Sequence, residues 1–174
     1  MTTVGGATIF PMSVTTPPKA PRLPEELVAS TTFLLKRLGF AAKDRSMEAY
    51  EEAGLHPYHF AVLVAVGEGS HETQGAIAET LGYDKGQLVG LLDELEERGL
   101  VERRRDPQDR RRHVVSLTPD GKQTLRRLRT LARQIEDEFL APLSDEERAN
   151  LHALLLRLAE KHEPRCAGMA PPAR

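Results

Sequence analysis

Seven arginines fall between Arg98 and His113, at positions 98, 103, 104, 105, 110, 111 and 112, against three acids, Glu102, Asp106 and Asp109, a local charge of +4. A guanidinium grips phosphate through two donors and sheds its hydration readily, so this density of arginine suits a phosphate backbone or a narrow minor groove. The bland alternative is a solvated turn in which Asp106 and Asp109 pair with neighbouring arginines. The chain as a whole hides this block. Its 24 Lys and Arg against 26 Asp and Glu leave a net charge of −2 over 174 residues. That average sums opposed segments: Asp84 to Glu97 carries Lys85 against five acids, and Glu136 to Glu147 carries six acids and no cation. A general polycation is excluded; a focused basic site is not.

Other chemistries are poorly represented. The single thiol, Cys166, cannot form an internal disulfide, has no metal-ligand spacing, and gives no reason to expect redox sensing; a disulfide scaffold and a zinc ribbon are excluded, and a reducing, cytoplasmic setting is expected. His56-Pro-Tyr-His59 has no acidic or thiol partner at ligand spacing, so no metal is expected. No nucleophile elbow or phosphate-binding loop occurs, so no catalytic residues, no enzyme and no cofactor are expected. The longest apolar runs, Phe60 to Val66 and Ala153 to Leu156, fall short of the roughly 18 residues of a membrane helix, and the N-terminus lacks the basic patch and apolar run of a signal peptide.

The elements that must position the arginines follow from punctuation. Pro24, with Glu25 and Glu26, predicts a helix from 24 to about 54 with Leu27, Thr31, Leu34, Leu38 and Ala41 on one side. Pro57 opens a short apolar helix through Val66, Thr73 caps one from Gln74 to Leu81, and Gly82 ends it. Asp84 with Gln87 has N-capping spacing for a helix with Leu88, Leu91, Leu92 and Leu95 on one stripe and Gly99 past its end. The period then changes: Leu100 to Arg104 and His113 to Leu117, around Asp106-Pro-Gln-Asp109, read as a β-hairpin with a polar tip. Helix returns after Thr118-Pro119 with Leu125, Leu128, Ile135 and Phe139 in phase, and Ser144 with Glu147 is a capping box for a last helix carrying Leu151, Leu154, Leu155 and Leu158. The expected fold is mostly α with a small β-hairpin wing: a winged helix-turn-helix over 55–118, flanked by helices over 24–54 and 119–162, with flexible ends over 1–23 and 163–174.

The run from Gly99-Leu-Val-Glu-Arg-Arg-Arg105 through Asp109-Arg-Arg-Arg112 to Thr118-Pro-Asp-Gly-Lys122 resembles the wing signature of the MarR family of bacterial transcription regulators. The likeness extends through Gln74-Gly-Ala-Ile-Ala-Glu-Thr-Leu-Gly82 and Asp93-Glu-Leu-Glu-Glu-Arg-Gly99. It implies a ligand-responsive regulator, a repressor by preference, that binds a palindromic operator in double-stranded DNA as a homodimer and answers to a small phenolic or anionic effector. The DNA-binding set it implies is Thr73, Gln74, Lys85, Gly86, Gln87, Val89 and Gly90 with the wing tip Arg110, Arg111 and Arg112; Asp93 and Asp109 would steady the wing. Leu27, Leu151, Leu154, Leu155 and Leu158 would join the subunits, and Phe40, His56, Tyr58 and His59 would line an effector pocket.

A helical wheel places Gly86, Val89, Gly90 and Asp93 outward, where many family members carry Ser, Thr or Arg. Each interior Gly costs about 0.5–1 kcal/mol relative to Ala. Either the glycines relieve crowding against another helix, or they let this helix lie deep in the major groove with Val89 against thymine methyls. Gln87 can cap its helix or read adenine, and cannot do both at once. Asp93 pairs with a wing arginine or stays solvated. The expected DNA reader grips weakly through its helix and strongly through Arg110 to Arg112, with acidic arms holding the rest off the duplex. The rivals are an enzyme and a winged-helix interaction module that has lost specific DNA binding, the latter favoured by the two glycines and Asp93.

Overall fold

The computed structural model describes residues 22–69, 73–106 and 113–166. The elements run α1 (Glu25–Val28), α2 (Thr31–Glu52), α3 (Pro57–Glu68), α4 (Gln74–Leu81), α5 (Lys85–Glu97), β1 (Val101–Arg105), β2 (His113–Leu117), α6 (Pro119–Phe139) and α7 (Asp145–His162). The expected mostly helical chain with one hairpin is found. Two local expectations need correcting. The helix predicted from 24 to about 54 is two helices, because the Ser30 hydroxyl accepts from the Phe33 amide at 3.3 Å and caps a fresh start after the single turn of α1. The tail predicted from 163 is ordered at its start, where Pro164–Cys166 makes a 3₁₀ turn.

Two compact units divide the chain, one ending at Leu38 and the other beginning at Gly39, and α2 runs through the boundary. In the first, Leu27, Val28, Leu34, Leu35 and Leu38 are exposed. In the second, one core joins Val62, Leu63 and Val66 of α3 to Ile77 and Ala78 of α4, to Leu88, Leu92 and Leu95 of α5, to Val101 and Val115 of the hairpin, and to Leu125 and Leu128 of α6. The stripe spaced at three and four residues on α5 therefore faces inward, and its opposite face is left to solvent.

The hairpin pairs antiparallel, Val101 with Leu117 and Arg103 with Val115. Because side chains alternate across a strand, Val101, Arg103, Val115 and Leu117 share the inner face. A second tie holds the hairpin to α4, since Thr73 bridges Val114. The chain leaves β2 directly into α6. Thr118 caps that helix by accepting from the Gly121 amide at 3.0 Å, and its hydroxyl donates to the Gly99 carbonyl at 2.6 Å. The start of α6 is thus fastened to the end of α5.

Gly121 is required by this close approach. A Cβ there would collide with the Leu100 carbonyl, a backbone atom that cannot rotate away. Gly121→Ala is expected to destabilise by about 1–3 kcal/mol, the cost of overpacking, read as a fall in Tm of roughly 2–4 °C per kcal/mol for a chain of this size. A thermal melt unchanged from wild type would show that α6 does not press on the hairpin base.

Candidate nucleic-acid interface

The exposed face of α5 is built by its two ends. At the N-terminus Gly82 adopts φ 67°, a left-handed conformation cheap only for glycine, and turns the chain from α4 into α5. The Asp84 carboxylate then accepts from the Gln87 amide at 2.9 Å. No bond returns from the Gln87 side chain to Asp84, in contrast to α3 and α7, where both halves of a capping box form. Of its two alternative roles, Gln87 therefore does not take the capping one, and its side chain is exposed. At the C-terminus Gly99, also left-handed, releases the chain into β1.

Between these ends Lys85, Gly86, Gln87, Val89, Gly90 and Asp93 all lie exposed on one side, Val89 at 41%. An added Cβ at Gly90 would meet nothing within 4 Å, and one at Gly86 would meet only the Asp84 carboxylate. Crowding against another helix of the described chain therefore does not explain these glycines. They leave a bare strip of backbone open to whatever approaches from outside.

The hairpin is fixed against this helix by Arg103. On the inner face of β1 its guanidinium reaches Asp93 at 2.6 Å, and its Nε donates to the Glu96 carboxylate at 2.9 Å. The other Glu96 oxygen accepts from the Arg103 backbone amide at 3.0 Å. β1 is an edge strand in a two-stranded sheet, so that outward amide would otherwise be an orphan donor. One carboxylate thus satisfies both the strand edge and its side chain. These bonds hold the Glu96 carboxyl below its ordinary value, chiefly through the guanidinium hydrogen bond, and raise Arg103. Arg98 adds a brace, donating to the Gly54 carbonyl at 2.5 Å.

Several expected site residues do other work. Thr73 spends its hydroxyl on capping α4, accepting from the Ala76 amide at 3.3 Å, and Gln74 follows as the first helical residue, half-buried. Arg104 pairs with Glu102 at 2.9 Å on the outer face of the hairpin. Arg110, Arg111, Arg112 and Asp109 lie outside the described residues.

The four expected effector residues do not come together as a set. His56 caps α3 by accepting from the Tyr58 amide, and His59 completes that capping box by accepting from the His56 amide at 3.1 Å. His59 is buried at 3% exposure, with its Nε2 2.9 Å from Glu94 of α5 but outside hydrogen-bonding geometry, and burial lowers its pKa against the pull of Glu94. Tyr58 touches His56 on one side and Tyr83 of the α4–α5 turn on the other, with ring centroids 4.7 and 5.5 Å apart. Among the described residues no ring contact links Phe40, itself 53% exposed, to this group. Among them, too, no cluster of three His, Cys, Asp or Glu is placed to hold a metal, and no helix is long and apolar enough to cross a membrane.

Sequence reasoning missed Glu96, Glu94 and Tyr83. Glu96 was open to discovery, since it lies three residues after Asp93 and hence on the same helical face; the other two depend on how α3 packs.

Known proteins share this architecture. Residues 53–112 match the model of the MarR family. A putative transcriptional regulatory protein for the hcr operon of Thauera aromatica is 35% identical over 105 residues, 60% of this chain; the chain spans 63% of that curated relative, just under two thirds. A MarR-family regulator from Rhodococcus sp. RHA1 superposes with a TM-score of 0.66 at 31% identity over 74% of this chain and 91% of its own. The transcriptional repressor CouR, solved on a 23-mer DNA duplex, gives 0.72 at 33% identity over 80% of this chain and 99% of its own.

The clamp predicts its own pH dependence. Glu96→Gln is expected to cost up to about 1 kcal/mol at neutral pH, as for a partly exposed ion pair. Because the folded-state pKa lies below the ordinary 4.5, the benefit is complete above that value and is lost as pH falls through the depressed one. Urea melts should show a constant gap between wild type and variant from pH 7 to 5, closing toward pH 3; a gap indifferent to pH would mean that Glu96 acts by packing alone.

Proposed function

Because the chain belongs to the MarR family, we propose that it is a cytoplasmic, sequence-specific DNA-binding transcription regulator, acting as a homodimer on a palindromic operator and released from it by a small ligand. The observation that carries this reading is the outer face of α5: exposed, bare at Gly90, and held by Arg103 at a set angle to an arginine-rich hairpin. Repression is the favoured mode, as in the repressor CouR.

Lys85 and Gln87 supply the polar contacts to base edges, Gln87 being a natural partner of adenine, and Val89 packs on thymine methyls. Gly86 and Gly90 let the backbone come close. Thr73 and Gln74, at the start of α4, face the phosphates through the helix N-terminus, and Arg110, Arg111 and Arg112 grip the flanking backbone, with Asp109 ordering the tip. The rival interaction module drew support from Asp93, a carboxylate that would repel phosphate; its charge is met by Arg103 at 2.6 Å.

The dimer reading rests on leucines without cover. Leu27 on α1 and Leu154, Leu155 and Leu158 on α7 are 41–54% exposed, and Leu151 is half-buried. Two-fold pairing sets half-sites about one DNA turn apart. The effector reading centres on Tyr58, whose ring already touches Tyr83 in the turn that leads into α5, so a phenolic or anionic ligand against His56 and Tyr58 pushes on the reading helix. Phe40 and His59 then act from the periphery, His59 through the α3 cap.

Fluorescence anisotropy with duplex DNA from upstream of the gene tests the main claim. Salt-sensitive, nanomolar binding to one palindrome is expected. Arg110→Ala with Arg111→Ala should weaken binding to every sequence and reduce the salt slope by about one unit per lost phosphate contact; an unchanged slope would remove the wing from the interface, and equal affinity for scrambled DNA would favour the interaction module. Sedimentation tests the assembly: Leu154→Glu with Leu158→Glu should convert a dimer to a monomer and abolish operator binding, whereas an intact dimer would place the interface elsewhere.

A further inference from the structure

Glu136 to Glu147 is acidic, but the same helix begins very differently. Residues 121–134 contain Lys122, Arg126, Arg127, Arg129 and Arg133 and not one acid. Four of these, Lys122, Arg126, Arg129 and Arg133, recur at intervals of four, three and four, which at 100° per residue confines them to a strip about 60° wide. At 1.5 Å per residue the strip is about 16 Å long. Its centre lies about 70° round the helix from Leu125 and about 130–150° from Leu128 and Ile135; those three leucine and isoleucine side chains are buried, and all four cations are exposed.

Nothing in the described chain neutralises this strip. Among the described residues none of the four has an ion-pair partner, and their only side-chain hydrogen bond there is a neutral one, from Arg133 to the neighbouring Thr130 hydroxyl at 3.2 Å. Of the six acids at 136–147, three are engaged elsewhere: Glu138 with Arg45 at 2.6 Å, Asp137 with Arg148 at 2.9 Å, and Glu147 with the Ser144 amide at 2.8 Å. Four like charges in a line repel one another, so an arrangement retained without partners in the fold calls for a partner outside it.

We propose that the Lys122, Arg126, Arg129 and Arg133 ridge is a second phosphate-binding surface that engages duplex DNA flanking the operator. A rod of evenly spaced charges fits a linear polyanion better than a compact anion, which would occupy only one or two of the four. The ridge also begins beside the base of the arginine-rich hairpin, for only Thr118 separates β2 from α6 and its hydroxyl fastens the helix start to that base. A second copy of this chain is the weaker occupant, because three of the six acids it would offer at 136–147 already hold Arg45, Arg148 and the Ser144 amide, and the other three, Glu136, Asp145 and Glu146, are split between α6 and the first turn of α7 rather than set in a row of four. The proposal rests on the DNA-binding reading above and replaces the expectation that the whole arm beyond the hairpin stays off the duplex.

The experiment uses the full chain and an operator enriched from random sequence, presented on a duplex just spanning both half-sites and on one extended by about one helical turn of mixed sequence at each end. Wild type should bind the long duplex more tightly and with a steeper dependence on log salt, by up to about 0.9 for each extra phosphate contact. The fourfold variant Lys122→Gln, Arg126→Gln, Arg129→Gln, Arg133→Gln, whose helical content and Tm should match wild type because every site is exposed, should lose that difference and keep its affinity for the short duplex. Equal slopes for wild type on both duplexes would overturn the ridge while leaving operator binding intact. Failure of wild type to bind either duplex would overturn the regulator reading and the ridge together. A variant unchanged in DNA binding, but with a dimer newly indifferent to salt, would assign the ridge to the second copy instead.

Discussion

Arg103 occupies a position where strand alternation gives it no choice. Paired with Val115 and two residues from buried Val101, it is on the inner face of the hairpin, where an unpartnered guanidinium is costly. Asp93 and Glu96, one turn apart on α5, meet that charge, and Glu96 also takes up the amide that an edge strand leaves open. Gly99 joins α5 to the hairpin, and the Arg103 clamp adds to the core packing of Val101 and Val115 in fixing the angle between them. The clamp converts two elements into one surface of fixed angle, and the braces from Arg98 to Gly54 and from Thr118 to Gly99 bind that surface to the rest of the core.

This arrangement also bears on how an acidic helix could serve a polyanionic partner. Five acids against one Lys from Asp84 to Glu97 look hostile to phosphate. Their geometry is less so for four of the five: Asp84 is spent on the helix cap, Asp93 and Glu96 on Arg103, and Glu94 is turned toward His59, while Glu97 stays exposed. The carboxylates act as struts behind the exposed face, leaving Lys85, Gln87, Val89 and a glycine-lined backbone as the part proposed to read DNA. Net charge, summed over segments, carries none of this information because it ignores which charges are paired inside the fold.

The aromatic group at the start of α3 places the proposed effector chemistry next to the same helix. His56 and His59 close a reciprocal cap, Tyr58 rides on His56, and its ring meets Tyr83 in the turn before α5. The cap, the turn and the Glu94 side of α5 are therefore mechanically adjacent. From Tyr58 one ring contact, with Tyr83, leads to the turn before α5, which is the path the proposed effector would use.

Much of this was written in local sequence. Capping residues, proline and glycine punctuation and the change of apolar period from helical to alternating mark α3 through α7 and the hairpin, because each signal acts within a few residues. The exposed face of α5 follows from the leucine stripe opposite it. Local rules failed where a short side chain chose between continuing and restarting a helix, as at Ser30, and where two roles were equally open to one residue, as for Gln87. What tertiary structure alone decided was partnership: which carboxylates Arg103 captures, why Gly90 faces open space, how His59 comes to face Glu94, and that the ridge of cations along α6 finds no counter-charge among the described residues. Those outcomes depend on distances between segments far apart in the chain, and residue types and spacing do not encode such distances until the core has packed.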